Sequence, residues 1–286
     1  MSYDRNPPPL PAAAPDTRIL AVRGDAIERR ADLLAGEEPL QIRAAGPGQD
    51  PVDVAVTMRT PGEERELAAG FLVTEGLAAP GDVARAGFAF ADPATHSQPH
   101  DEILVRLPVA FDASAVAERT AVATASCGIC GKASIDDVAQ RCGPLPAGPI
   151  VARPTLLSLP DRMRAAQAVF ERTGGLHATA LFSADGVLRR LCEDVGRHNA
   201  LDKLIGGAAL AGELPLHDHV VLVSGRVSFE VAQKAAIAGI AVLVAVSAPT
   251  DLAVATAGRL GMTLVGFLRG DGFNVYAGEE RIDLAG

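Results

Sequence analysis

The sequence predicts an α/β protein. Three observations carry that expectation. From about residue 155 apolar strand-like runs alternate with helical spacing. Those strands are apolar throughout rather than at every second position. The 48% hydrophobic content comes from small and aliphatic residues, with 4% aromatics and no Trp. Continuously apolar strands separated by helices imply a largely parallel sheet covered on both faces. At 286 residues the chain exceeds one average domain, so two are expected.

Residues 1–17 are rich in Pro and Ala and predict a disordered leader with no apolar signal-peptide core. Residues 18–120 predict a smaller α+β domain. Within it Pro51 to Met58 alternates like a half-buried strand. Glu63 to Leu77 has helical spacing behind a start at Thr60 and Pro61, His96 to Asp101 reads as a polar loop, and Ile103 to Leu107 as a strand. Residues 121–154 read as a mobile connector, rich in small residues, that carries C-G-I-C and closes on C-G-P-L-P-A-G-P.

Residues 155–286 predict the second domain. A helix from Leu159 to Thr173 should end at Gly174 and Gly175. Leu176 to Phe182 and Gly186 to Cys192 should form a hairpin about a D-G turn. Then follow helix Asn199 to Gly206, strand His219 to Val223, helix Ser228 to Ala238 and strand Ala241 to Val246. Helix Leu252 to Gly261, strand Thr263 to Leu268 and a short strand near Asn274 to Tyr276 complete the chain.

A net charge of -9 argues against a nucleic-acid surface, which needs a basic face to displace counterions. The longest uncharged stretch, between Lys234 and Asp251, is shorter than the ~18 to 20 apolar residues a bilayer needs, so no membrane span is expected. A cytoplasmic location follows as the expectation, with reduced thiols.

Four cysteines in that setting mean chemistry, metal or core. Cys127 and Cys130 form the C-x-x-C. It reads as half of a zinc site, a thioredoxin-like redox pair, an inert pair, or a nucleophilic, persulfide-bearing thiol with a second thiol to release the sulfur. Zinc lacks a second ligand pair, and a redox pair should open the first helix of a βαβ unit. Gly128, Gly131 and Lys132 favour a thiolate. Cys142 and Cys192 read as structural.

Four strand exits share one character. E-D-V-G-R-H-N offers Asp194, Arg197 and His198, and S-G-R-V-S offers Ser224, Gly225 and Arg226. S-A-P-T-D offers Ser247, Thr250 and Asp251, and F-L-R-G-D-G offers Arg269 amid glycines. Helix amides, close backbone approach at glycine and forked arginines suit phosphate at the carboxyl ends of strands. Any single loop reads more readily as N-caps and solvated arginines; the four together point to a phosphate-bearing ligand. G-x-G-x-x-G and the P-loop are absent. His177 reads as a hydrogen-bonded core histidine, and His96, His100, His217 and His219 as solvated loop residues.

C-G-I-C-G, G-G-L-H-A-T-A-L-F, E-D-V-G-R-H-N-A-L-D-K, S-G-R-V-S-F-E-V-A-Q-K and G-F-L-R-G-D-G-F-N-V-Y stand in this order. The sequence thereby resembles the formate dehydrogenase accessory sulfurtransferase family, from about residue 18 to the end. The resemblance implies a cytoplasmic homodimer that takes sulfur from a cysteine desulfurase. The acceptor it implies is the molybdenum or tungsten cofactor of formate dehydrogenase, a bis(molybdopterin guanine dinucleotide). It places the persulfide on Cys127 with Cys130 as partner, and the cofactor segment on Phe267, Leu268, Arg269, Gly270, Asp271 and Gly272. Arg197, His198, Ser224 and Arg226 join that segment as expected contacts. It also implies a cytidine-deaminase-like three-layer α/β/α sheet for the C-terminal half. Zinc deaminases need H-x-E before P-C-x-x-C, whereas this chain has His177-Ala178-Thr179 with its C-x-x-C upstream, so no metal is expected.

Overall fold

A computed structural model describes residues 17–91, 101–116 and 142–285. Cys127, Cys130, Gly128, Gly131, Lys132, His96 and His100 lie outside the described residues.

The central feature is a six-stranded sheet built from β8 (His177–Ser183), β9 (Leu188–Asp194), β10 (His219–Val223), β11 (Val242–Ala245), β12 (Thr263–Arg269) and β13 (Gly272–Ala277). Its order is β13-β12-β11-β10-β8-β9. Only β10, β11 and β12 are mutually parallel; β8, β9 and β13 pair antiparallel to their neighbours. The sheet is therefore mixed, not largely parallel. Apolar runs report burial on both faces and carry no information about strand direction.

Residues on alternate sides of these strands enter two cores. Ala178, Ala180, Phe182, Val220, Leu222, Val242 and Val244 pack with Leu156, Leu159 and Met163 of helix α3 (Arg153–Ala166). A short pair, β7 (Val151–Ala152) with β14 (Ile282–Asp283), closes that side. On the other face lie helices α5 (Arg197–Leu210), α6 (Phe229–Ile237) and α7 (Asp251–Leu260). Two helical layers around one sheet give the three-layer α/β/α architecture.

Helix α5 is buried from Asn199 to Ala209, because a second layer covers its outer side. That layer is α1 (Glu64–Thr74), followed by short helix α2 (Pro80–Val83). Behind α1 stands a four-stranded sheet of β3 (Glu38–Ala45), β4 (Val52–Arg59), β5 (Gly87–Phe90) and β6 (Glu102–Arg106), ordered β4-β3-β6-β5. Leu40, Ile42, Leu67, Leu72, Ile103, Leu201 and Leu204 share one core, so hydrophobic packing runs across both halves of the chain. Strands β1 (Thr17–Arg23) and β2 (Ala26–Asp32) form a separate hairpin.

Helices α1 and α5 cross with their backbones in contact. A Cβ on Gly70 would lie 1.8 Å from the Asp202 carbonyl oxygen, and one on Gly206 1.8 Å from that of Glu66. Two charged clusters fasten the same junction. Lys234 Nζ reaches Asp202 Oδ2 and Glu75 Oε1 at 2.9 Å and Thr74 Oγ1 at 2.8 Å. Lys203 Nζ reaches Asp194 Oδ2 at 2.9 Å and the Thr60 carbonyl at 3.0 Å.

The expected helix Leu159 to Thr173 is two helices. Helix α3 starts at Arg153, with a proline in its first turn, and α4 spans Ala168–Thr173. Between them Gln167 leaves helical geometry at φ -77°, ψ 75°. Gly174 then caps α4 in the left-handed conformation, as its sequence implied.

Candidate functional site at the carboxyl edge of the sheet

The register sets the site. His177 pairs with Asp194, Val223 with Thr179 and Ala245, and Val244 with Val265. The exits of β9, β10, β11 and β12 thus open on one edge, beside the entrance to β8. From β12 to β9 that edge spans four strand spacings, about 19 Å. Strand order reverses between β10 and β8, the kind of switch point where open α/β sheets bind ligands.

Asp194 is fully buried and serves the scaffold. Its Oδ1 accepts from Gly196 N (2.8 Å) and Asn199 Nδ2 (3.0 Å), and its Oδ2 from Thr60 N (3.1 Å) and Lys203. That carboxylate shapes the turn into α5, whose N-cap is Gly196. Arg197 follows, and its Nε is buried with no hydrogen-bond partner among the described residues. A buried guanidinium nitrogen left unsatisfied is costly, so an acceptor there would be favoured. His198 sets Nε2 3.0 Å from Glu230 Oε2 and 3.5 Å from Ser228 Oγ.

Ser224 closes β10. Its Oγ accepts from Ala178 N at 2.9 Å and lies 3.3 Å from His177 Nδ1. Burial, then the charge of Arg197, holds His177 below the ordinary histidine range, so its imidazole is neutral near pH 7. His177 is thus a hydrogen-bonded histidine, but at the site rather than in the core. Gly225 lets these groups converge: a Cβ there would sit 3.4 Å from His177 Nδ1 and 3.5 Å from Arg197 Cβ. Arg226 next to it is exposed.

The loop after β11 is laced to this one. Val227 N donates to Ala248 O and Thr250 N to Val227 O. Thr250 caps α7 through Ala253 N, and Asp251 opens that helix. Phe267 N donates to Ser247 O. Phe267 has φ 54° at a bulge in the β12–β13 pairing, a strained conformation for a bulky side chain. Arg269, Gly270, Asp271 and Gly272 are exposed in the turn, with the Arg269 guanidinium 5.6 Å from the Phe267 ring. Leu268 is fully buried and packs in the α3-side core, so its side chain faces away from the edge.

A cavity of about 620 Å³ opens below this edge on the α3 side, between Pro160, Met163, Phe170, Val195, His177 and Ser224. Among the described residues no group of three or more His, Cys, Asp or Glu could hold a metal. None of the described helices is long and apolar enough to cross a membrane.

The sequence matches the FdhD/NarQ family over residues 35–283. The chain belongs to that family. Similar curated FdhD proteins include the sulfur carrier protein FdhD of Streptomyces avermitilis, 50% identical over 273 residues that cover 93% of this chain and 95% of that protein. That of Mycobacterium tuberculosis is 47% identical over 272 residues, covering 93% and 97%. A solved chain from Desulfotalea psychrophila, described as a formate dehydrogenase accessory protein, aligns with TM-score 0.71 and 22% identity over 96% of this chain and all of that one; it shows the fold.

Within this FdhD/NarQ chain the remaining cysteines pack. Cys192 is buried, its thiol pushed well up by burial and sitting 3.7 Å from Glu63 Oε1; Cys142 is half-buried against the core. His217 and His219 are partly buried rather than solvated, each with a buried Nδ1 that has no hydrogen-bond partner among the described residues. Sequence reading gave Asn199 and Thr60 only as helix starts and assigned nothing to Lys203, though all three hold Asp194 or its turn. The signal for Lys203 was available: D-K inside A-L-D-K-L-I-G-G-A-A-L places two charges in an otherwise apolar helix, which must then be paired.

Proposed function

We propose that this protein is a sulfur carrier in the maturation of formate dehydrogenase. Cys127 takes sulfane sulfur from a cysteine desulfurase and passes it to a molybdenum or tungsten bis-pterin guanine dinucleotide cofactor, with Cys130 as second thiol. In the loading step the Cys127 thiolate attacks the donor's terminal sulfur, forming Cys127–S–SH and releasing the donor cysteine as thiolate. The protein acts as a homodimer in the cytoplasm. Support for the sulfur half comes from relatives up to 50% identical that bear the name sulfur carrier protein, and from C-G-I-C.

The acceptor half rests on one observation: four strand exits open on one edge, where Gly225 lies against Arg197 and the Arg197 Nε is buried with no hydrogen-bond partner among the described residues. Mass spectrometry after incubation with a desulfurase and cysteine tests the reading. Wild type should gain one sulfur on Cys127, and Cys127→Ser none, since a hydroxyl cannot hold sulfane sulfur. Cys127→Ala that still activates formate dehydrogenase as well as wild type would exclude sulfur transfer.

A further inference from the structure

In a chain of net charge -9 an arginine finds carboxylates easily, yet Arg197 forms no ion pair among the described residues. Two carboxylates stand close to it. Asp194 comes three residues earlier, on the turn that delivers the guanidinium. Glu230 lies in the first turn of α6. The hydrogen bond from His198 holds its carboxyl below the usual carboxylate range, and the charge of Arg197 acts in the same direction.

Each of the two is already occupied by another donor. Asp194 Oδ1 accepts from Gly196 N and Asn199 Nδ2, and Oδ2 from Thr60 N and Lys203 Nζ, which fills its acceptor sites. Glu230 Oε2 faces His198 Nε2 at 3.0 Å. A carboxylate only accepts, so Nε2 carries the imidazole hydrogen there. Glu230 is 64% exposed, so packing does not fix its carboxylate and the histidine does. An ion pair this open adds little to stability. Its consequence is where the carboxylate points.

We propose that His198 is a positioning residue: by holding Glu230 it keeps that carboxylate off Arg197, so the guanidinium stays open to the phosphate of the acceptor. This deepens the acceptor reading above and rests on it. Without the His198 donor, Glu230 turns to the neighbouring guanidinium, competes with phosphate for it and repels the ligand's charge. Lys203 does the same for Asp194 inside the fold, where a substitution would also break a buried ion pair. The His198 pair is open to solvent and can be altered without that cost.

The test is a double-mutant cycle read by calorimetric titration of the full chain with guanosine diphosphate. His198→Ala should bind about fivefold more weakly than wild type. Adding Glu230→Gln to it should bring the affinity back to that of Glu230→Gln alone, because a neutral amide cannot quench Arg197. His198→Gln, whose amide nitrogen reaches the place of Nε2, should keep the wild-type affinity. Equal loss on removing His198 in both backgrounds would mean that the imidazole touches the ligand itself, and overturns the proposal. Undiminished binding by His198→Ala overturns it too. Wild type that binds no guanosine diphosphate sinks the acceptor reading, and this proposal with it.

Discussion

Arg197 is the residue in which scaffold and site meet. Asp194 fixes the turn before it, and the guanidinium Nε arrives buried with no acceptor among the described residues. Removing it should therefore lose a charge-assisted contact of about 1.5 to 3 kcal/mol. Arg197→Ala should bind guanosine diphosphate roughly 10- to 100-fold more weakly by calorimetry, with a shallower salt dependence. His177 gives a second prediction. Burial, Arg197 and His198 lower its pKa while Asp194 opposes them. On acidification the folded state takes up this proton later than the unfolded chain. Its contribution is complete above about pH 6.5 and is lost as pH falls below it. Glu63 and Glu193, raised by burial, act with the opposite sign. The readout is thus a difference: the melting temperature of His177→Asn should fall less than that of wild type between about pH 7 and 5.5.

At the scale of elements, the α1–α5 crossing depends on two missing side chains. Gly70→Ala or Gly206→Ala would drive a Cβ into backbone 1.8 Å away, and backbone cannot swing aside as a side chain tip can. Each should cost about 3 kcal/mol or more in urea unfolding, because the helices must separate across a packed core. Gly258 is the control. It is an exposed position of α7 where an added Cβ would meet nothing within 4 Å, so Gly258→Ala should stabilise by about 0.5 to 1 kcal/mol. Opposite signs for one chemical change would show that close approach, not helix propensity, selects glycine at the crossing.

For the whole molecule, buried charge ties the halves together. Burial works against the charge of Lys234, but Asp202 and Glu75 outweigh it and hold its pKa above the ordinary lysine value. Thr74 and Glu75 come from the first half of the chain, Asp202 and Lys234 from the second. Lys234→Met should destabilise by about 3 to 5 kcal/mol, since Asp202 would keep a buried charge without its partner. The double variant Lys234→Met with Asp202→Leu should recover most of that loss in a double-mutant cycle. Glu75 is less buried and can turn to water, so it should not block the recovery.

The sequence by itself determined the sites of strands and helices wherever periodicity and caps were strong. His219 to Val223 stands as read, and Ser228 and Gly174 end their helices from outside. It also named the four loops and Arg197, because glycine and arginine at strand exits are local features. Tertiary structure alone decided the rest. The D-G turn gave the β8–β9 hairpin, but strand direction is invisible in an apolar run, so the antiparallel pairings of β8 with β10 and of β13 with β12 could not be read. Asp194 looked like a helix-start ligand and is a buried scaffold, because its partner Thr60 is distant in sequence. Gln167 lay in a smooth helical pattern, and just after it the Glu193 carboxylate of β9 accepts from Val169 N and Phe170 N and opens a second helix. Local chemistry sets what a residue can do; which groups lie near it depends on chain crossings that no local pattern records.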